Sequence, residues 1–314
     1  MSATAPSASA ARAIRLLEID RVTAEVVEAF RGVGIRSILL KGPALARWLY
    51  HGSERAYVDT DLLVADDRID TAVEVLMGIG FRRSALDLRD DWPRHALVFL
   101  RAGVSVDLHR TLVGANVAPA ALWREISDLT TTMSVGGTDV EVLRPPARAL
   151  LVALHAAKDG GRVVKVDRDL ERALDRVPFE TWMQSAELAR RIGATEALAA
   201  GLRRVDDGAA LAERLALPTS LTPEVAMRTR HVPPLATGIN WLITSRGVRG
   251  KASLVLRKLF PPPDFLRAWK PLARRGRLGL AAAYAWRPVW VAWHSGPAAL
   301  AVARAHRRTR DRTP

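Results

Sequence analysis

The segment Asp59-Thr60-Asp61-Leu62-Leu63-Val64 constrains this chain more than any other. Its three consecutive apolar residues need a buried place, and two acids one residue apart run directly into them. A β-strand puts residues i and i+2 on the same face, so Asp59 and Asp61 stand side by side at the edge of a core. Neighbouring carboxylates repel unless a cation lies between them. Mg²⁺ takes a few carboxylate oxygens and completes its shell with water and substrate phosphate. An acidic pair of this kind therefore suits a metal–triphosphate complex. Taken alone, it also fits a solvated strand end or a helix cap.

The surrounding pattern predicts a mixed α/β region followed by helices. Ile14, Leu17, Val22, Val26, Val27 and Phe30 recur at helical spacing over Ala10–Val33. Ser37–Leu40 has the length of a buried strand and runs into Lys41-Gly42-Pro43, a turn signal. A short helix is expected over Ala44–Tyr50 and a longer one over Asp67–Gly78. Ala96–Leu100 and Val104–Leu108 read as strands around the loop Arg101-Ala102-Gly103. After Pro145-Pro146 the period is helical, over Ala147–Lys158, Arg168–Val177, Phe179–Ile192 and Thr195–Arg204. The expected class is α+β. It divides into an arm and helix (1–33), a mixed-sheet core (34–145), a helical region (146–240) and a basic, Trp/Arg-rich helical segment and tail (241–314).

Two further segments belong with the acidic pair. In Val104-Ser105-Val106-Asp107-Leu108-His109, Asp107 alternates with apolar residues and offers a third carboxylate, which suits a two-metal site for in-line displacement. In Leu39-Leu40-Lys41-Gly42-Pro43-Ala44, a strand, a glycine turn and a helix start bring backbone N–H groups towards phosphate oxygens. Lys41 adds a point charge there, and Arg55 offers another. His109 reads as a packed or solvated histidine. His155 and Lys158, with Asp167 and Asp169, either face the cleft and bind an acceptor or form a charged surface. Because crowded carboxylates repel, replacing one by Asn is expected to leave the metal-free fold intact or slightly firmer.

Taken together, Lys41-Gly42, Tyr50, Arg55, Asp59, Asp61-Leu62-Leu63-Val64, Gly80-Phe81 and Asp107-Leu108-His109 resemble the uncharacterised nucleotidyltransferase-like family of the DNA polymerase β-type superfamily. The likeness continues more weakly through Leu143-Arg144-Pro145-Pro146 and Leu154-His155, and into Phe260-Pro261-Pro262 with Arg267. It implies a small mixed sheet whose metal-binding carboxylates are here Asp59, Asp61 and Asp107, and a nucleoside triphosphate donor. With Lys41, Gly42 and Arg55 on the nucleotide and Mg²⁺ or Mn²⁺ on the catalytic carboxylates, the leading reading is an enzyme that passes NMP to an unidentified acceptor hydroxyl. The wider superfamily usually has Gly-Ser in the turn where this chain has Lys41-Gly42-Pro43. That departure favours an alternative, a catalytically inactive nucleotide-binding module of the same fold.

A third reading, a basic protein binding nucleic acid or a membrane surface, rests on charge. The formal net charge is +14, yet residues 1–240 hold 31 basic and 31 acidic residues, while residues 241–314 hold 16 and 2. The basic segment also carries Trp241, Trp269, Trp286, Trp290 and Trp293. Such a mixture suits a weak anionic partner, or helices whose Trp face packs while Arg faces water. Packing is expected up to about residue 290, with Arg304–Pro314 a solvated basic tail. Met1–Ala11, small and polar with no apolar stretch behind it, reads as an arm and not a secretory signal. No run of about 18 apolar residues predicts a transmembrane segment. The absence of cysteine excludes disulfides and thiolate metal sites and fits the cytoplasm.

Overall fold

The computed structural model describes residues 7–50, 55–84, 96–159, 163–228, 233, 235–244 and 247–310. Two compact units are distinguished, one within residues 1–83 and 95–217 and the other built mainly from residues 218–314.

The first unit is organised by the two-residue alternation of its strands. They are β1 (Ser37–Leu39), β2 (Asp59–Val64), β3 (Arg82–Arg83), β4 (Ala96–Arg101), β5 (Val104–His109), β6 (Thr130–Val135) and β7 (Thr138–Leu143). They form one sheet in the order β3-β4-β5-β2-β1-β7-β6. β2 runs antiparallel to β1 and parallel to β5, and β1 runs parallel to β7. The first helices are α1 (Ala8–Gly32), the short α2 (Pro43–Leu49) and α3 (Ile69–Gly78). Ile19, Val26 and Phe30 of α1 and Leu76 of α3 share a buried core with Leu39, Leu62, Val64, Val106, Leu108 and Val142. Thr60 also points to this side, since its hydroxyl meets that of Thr23 at 2.8 Å. By alternation Asp59 and Asp61 point to the other face.

Helix α1 starts earlier than the expected arm allows. The Ser7 hydroxyl accepts the Ala10 N–H at 3.2 Å and caps it, a role for which serine is suited. Met1–Pro6 lie outside the described residues. The sequence assigns no element to Thr130–Leu143, where the structure has the β6–β7 hairpin, preceded by α4 (Pro119–Ile126). Its two turn residues, Gly136 and Gly137, have φ of 58° and 86°, the left-handed conformation a two-residue hairpin turn demands.

Five helices complete the unit: α5 (Pro145–Asp159), α6 (Val164–Arg176), α7 (Phe179–Arg191), α8 (Thr195–Leu202) and α9 (Asp206–Arg214). α5 is central, packed against α6, α7 and α8. The α5–α8 crossing is close because Gly201 has no side chain, and a Cβ there would meet the Ala153 carbonyl oxygen at 1.9 Å.

The second unit is helical: α10 (Pro223–Arg228), α11 (Ala236–Thr244), α12 (Val248–Leu259), α13 (Pro263–Trp269), a 3-10 turn (Pro271–Arg274) and α14 (Gly276–Arg310). The expected division into a packed Trp face and a solvated Arg face fails at the middle of α14. Arg287 is buried at 5% exposure, and its guanidinium lies 4.6 Å from the Trp269 ring centre and 4.7 Å from that of Trp290. Its Nε donates to the Lys258 carbonyl at 3.0 Å. Trp286 and Trp293 are 46% and 81% exposed. The aromatic faces and the carbonyl satisfy the buried cation. The expected tail is ordered over Arg304–Arg310, which continues the helix, while Arg304 and Arg307 themselves are exposed. Ala305 is buried there, and the His306 imidazole hydrogen-bonds the Asn240 side-chain oxygen at 2.8 Å. Asp311–Pro314 lie outside the described residues. Among the described residues, no helix is long and apolar enough to cross a membrane.

Two predictions follow from the first unit. Gly201→Ala forces α5 and α8 apart and should lower stability by at least about 2 kcal/mol in denaturant titrations, whereas Gly32→Ala, with open space around it, should not. The second concerns Arg36, which grips the Glu141 carboxylate with bonds of 2.7 and 2.6 Å across β1 and β7. This hydrogen bonding holds Glu141 below its ordinary pKa of 4.5. A depressed acid contributes stability above its unfolded pKa and loses it as pH falls. Glu141→Gln should therefore flatten the acid limb of a melting-temperature profile below about pH 4.5, by under about 1 kcal/mol because the pair is half-exposed.

Candidate active site

The register of β2 and β5 sets the site. Asp61 lies directly beside Asp107, and Asp59 beside Ser105. Alternation keeps Asp59, Asp61, Ser105, Asp107 and His109 on the face turned away from α1. Asp61 is 1% exposed. Its Oδ1 accepts from the Lys41 ammonium at 2.7 Å and lies 2.9 Å from His109 Nε2. Its Oδ2 is buried with no hydrogen-bond partner, which is costly for a carboxylate oxygen unless something else satisfies it.

Burial works against an ionised Asp61. The Lys41 ammonium and the His109 hydrogen bond nevertheless hold its carboxyl well below the usual carboxylate range. The same exchange raises Lys41: burial opposes its charge, but Asp61 more than compensates. Asp59 and Asp107 are pushed the opposite way. Burial raises both, and the Asp61 charge raises them further, taking Asp107 up to about 6. The Ser105 hydroxyl donates to Asp107 at 3.1 Å. One acid is thus firmly ionised and two beside it resist ionisation, a field that attracts a cation.

The residues fit a divalent ion. Asp61, Asp107 and His109 each offer one donor atom, and these atoms lie within 4.8 Å of one another. Carboxylate oxygens suit Mg²⁺ and Mn²⁺. Because His109 Nε2 is hydrogen-bonded to Asp61 Oδ1, the imidazole also orients the carboxylate and leaves Oδ2 as its open atom. His109, expected to be packed or solvated, is packed at 5% exposure, and two residues beyond Asp107 on one strand it shares that residue's face and reaches Asp61.

The residues expected on the nucleotide stand as follows. Gly42, with φ of 64°, makes the turn into α2, and Lys41 just before it reaches Asp61. Arg55 is buried and engaged by Asp169 of α6, with Nη2–Oδ2 and Nε–Oδ1 distances of 2.7 and 2.9 Å. Its Nη1 donates to the Gly42 carbonyl at 3.4 Å, and Tyr50 donates to Asp169 at 2.7 Å. Asp169 is therefore neither an acceptor ligand nor an exposed surface acid. It is the buried anchor that ties α6 to the glycine turn. His155 of α5 sits in the field of the same groups: burial first, and then the Lys41 charge, hold its pKa well below 6.5 and keep the ring neutral. Lys165 of α6 donates to the Ala56 carbonyl at 2.6 Å. Lys158 is more exposed and lies 3.9 Å from Asp159.

No curated protein matches the chain. Among solved structures, the antibiotic-resistance factor ANT(2'')-Ia is similar at 14% identity over 58% of this chain and 96% of that one, with a TM-score of 0.43. An antigenic nucleotidyltransferase-like protein from Paracoccidioides brasiliensis follows at 16% identity, 60% and 94% coverage and a TM-score of 0.36. A tRNA-processing enzyme matches at 12% identity, 92% and 80% coverage and a TM-score of 0.27. The model of the family described as uncharacterised nucleotidyltransferase matches residues 6–207, nearly the whole first unit. The chain belongs to the uncharacterised nucleotidyltransferase family.

Proposed function

We propose that the chain transfers a nucleoside monophosphate from a nucleoside triphosphate to an acceptor hydroxyl and releases pyrophosphate. The acceptor oxygen forms a bond to the α-phosphorus, the bond from that phosphorus to the bridging oxygen breaks, and the acceptor proton passes to a carboxylate of the site. The observation that carries this reading is the unpartnered Oδ2 of Asp61, buried beside Asp59 and Asp107 in a member of this family.

Asp59, Asp61 and Asp107 would hold Mg²⁺ or Mn²⁺, which when bound neutralises the triphosphate and the leaving pyrophosphate. The chain's own side chains do the rest. Lys41 neutralises Asp61, and its ammonium would be free to meet a phosphate oxygen if that carboxylate held a cation instead. Asp107, already reluctant to ionise, takes the acceptor proton. Arg55, held by Asp169, fixes the glycine turn against which the phosphates lie, and its charge adds to the attraction. His155 and Lys165 border the same space and bind the acceptor.

The second reading is nucleotide binding without transfer. Lys41 favours it, because its ammonium already satisfies one Asp61 oxygen. Pyrophosphate release separates the two. With Mg²⁺ or Mn²⁺, an NTP and a panel of hydroxyl acceptors, the wild type should release pyrophosphate. Asp107→Asn should reduce release by at least about 100-fold at an unchanged or slightly raised melting temperature. NTP binding with no release across the panel would favour the inactive module.

The structure also revises the stability expected of an Asn substitution. The acids are not merely crowded, since Asp61 is the partner of two buried groups. Asp61→Asn strands Lys41 and should destabilise the metal-free protein by about 3 kcal/mol, in contrast to Asp107→Asn. Equal melting temperatures for the two variants would contradict the charge pattern described above.

A further inference from the structure

The solvent side of α14 lacks the charges that an exposed helix face ordinarily carries. From Leu278 to Ala303 every exposed position is apolar, glycine or proline, with Leu278, Trp286, Val289, Trp293 and Leu300 the large ones. These five fall on one side of the helix at helical spacing, along roughly 33 Å of axis. The single charged residue in that stretch, Arg287, is buried on the opposite side among Phe265, Trp269 and Trp290. The inner side of α14 is covered by its own unit through Ala283, Ala298 and Val302. A helix apolar on both sides needs cover on both.

The ends of the stripe indicate what covers the outer side. Arg275 and Arg277 are exposed at one end, Arg304 and Arg307 at the other. We propose that α14 lies in the plane of an anionic membrane surface. Trp286, Val289, Trp293 and Leu300 enter the boundary between headgroups and acyl chains, and the terminal arginines meet lipid phosphates. Tryptophan suits that boundary because its ring is apolar and its N–H polar, and an in-plane helix binds through apolar area plus attraction to anionic lipid. A nucleic acid strand would call for cations along the stripe, tracking the phosphates, and here they stand only at its ends. A second copy would bring the same excess of positive charge, 16 basic against 2 acidic residues in 241–314, against itself.

The test is co-sedimentation of the full chain with phosphatidylcholine vesicles, with and without phosphatidylglycerol, alongside Trp fluorescence. The chain should partition onto the anionic vesicles with a blue shift and only weakly onto the neutral ones. Trp293→Ala and Trp286→Ala should each weaken partition by about tenfold. Arg277→Gln and Arg304→Gln should each weaken it about fivefold. All four positions are exposed, so melting temperature and far-UV circular dichroism should stay at wild-type values. No binding to anionic vesicles by the folded chain, binding that Trp293→Ala leaves intact, a dimer that Trp293→Ala dissociates, or binding of single-stranded RNA with none to vesicles would overturn the proposal. A large loss of melting temperature in Trp293→Ala would do so equally, since it would show the stripe covered by the chain itself.

Discussion

The first unit is organised around the contact of Lys41 with Asp61. A carboxylate at 1% exposure on a central strand is tolerable only if its charge is answered. Two neighbours answer it, an ammonium from the turn after β1 and an imidazole from β5, the strand on its other side. Three adjacent strands are thus pinned by one oxygen, Oδ1, while the other oxygen is left open. The Lys41 ammonium offsets the charge of Asp61 itself, while Asp59 and Asp107 add two further carboxyls. If a divalent cation binds here as proposed, it would share Asp61 with Lys41, whose ammonium lies 2.7 Å from Oδ1.

A second buried ion pair makes the helical region part of the site. Arg55 precedes β2 in the chain, yet its partner Asp169 is on α6, and Tyr50 at the end of α2 shares that partner. Breaking such a pair leaves an uncompensated buried charge, so the distance between the glycine turn and α6 is tightly held. His155 on α5 and Lys165 on α6 feel the charges of Lys41, Asp59 and Asp61 for the same reason. The carboxylates and the groups proposed to bind the acceptor therefore come from different parts of the chain but share one electrostatic field.

Much of this was legible in the sequence where a residue's position depends on local periodicity. The α+β class, the strand carrying Asp59 and Asp61, the β4–β5 hairpin and the long helices after Pro145 all follow from spacing alone. What escaped depended on long-range partners. The β6–β7 hairpin is an edge element whose Thr-rich outer strand shows little apolar alternation. Asp169 looks like one charge among many on α6 until the fold brings Arg55 to it. His109 shares the face of Asp107 by alternation, but its contact with Asp61 depends on the pairing of β5 with β2. In the second unit the basic segment is plain from the charges, but which of its side chains are buried depends on tertiary packing. Arg287 is held among aromatic rings, and Trp293 stands in solvent.

The claim that Lys41 and a divalent cation share Asp61 is open to one direct measurement. Mn²⁺ binding can be followed by electron paramagnetic resonance of the free ion in the wild type, Lys41→Met and Asp61→Asn. If the two cations compete, Lys41→Met binds Mn²⁺ more tightly than the wild type and Asp61→Asn loses binding. Affinities that are equal in all three proteins would contradict the account.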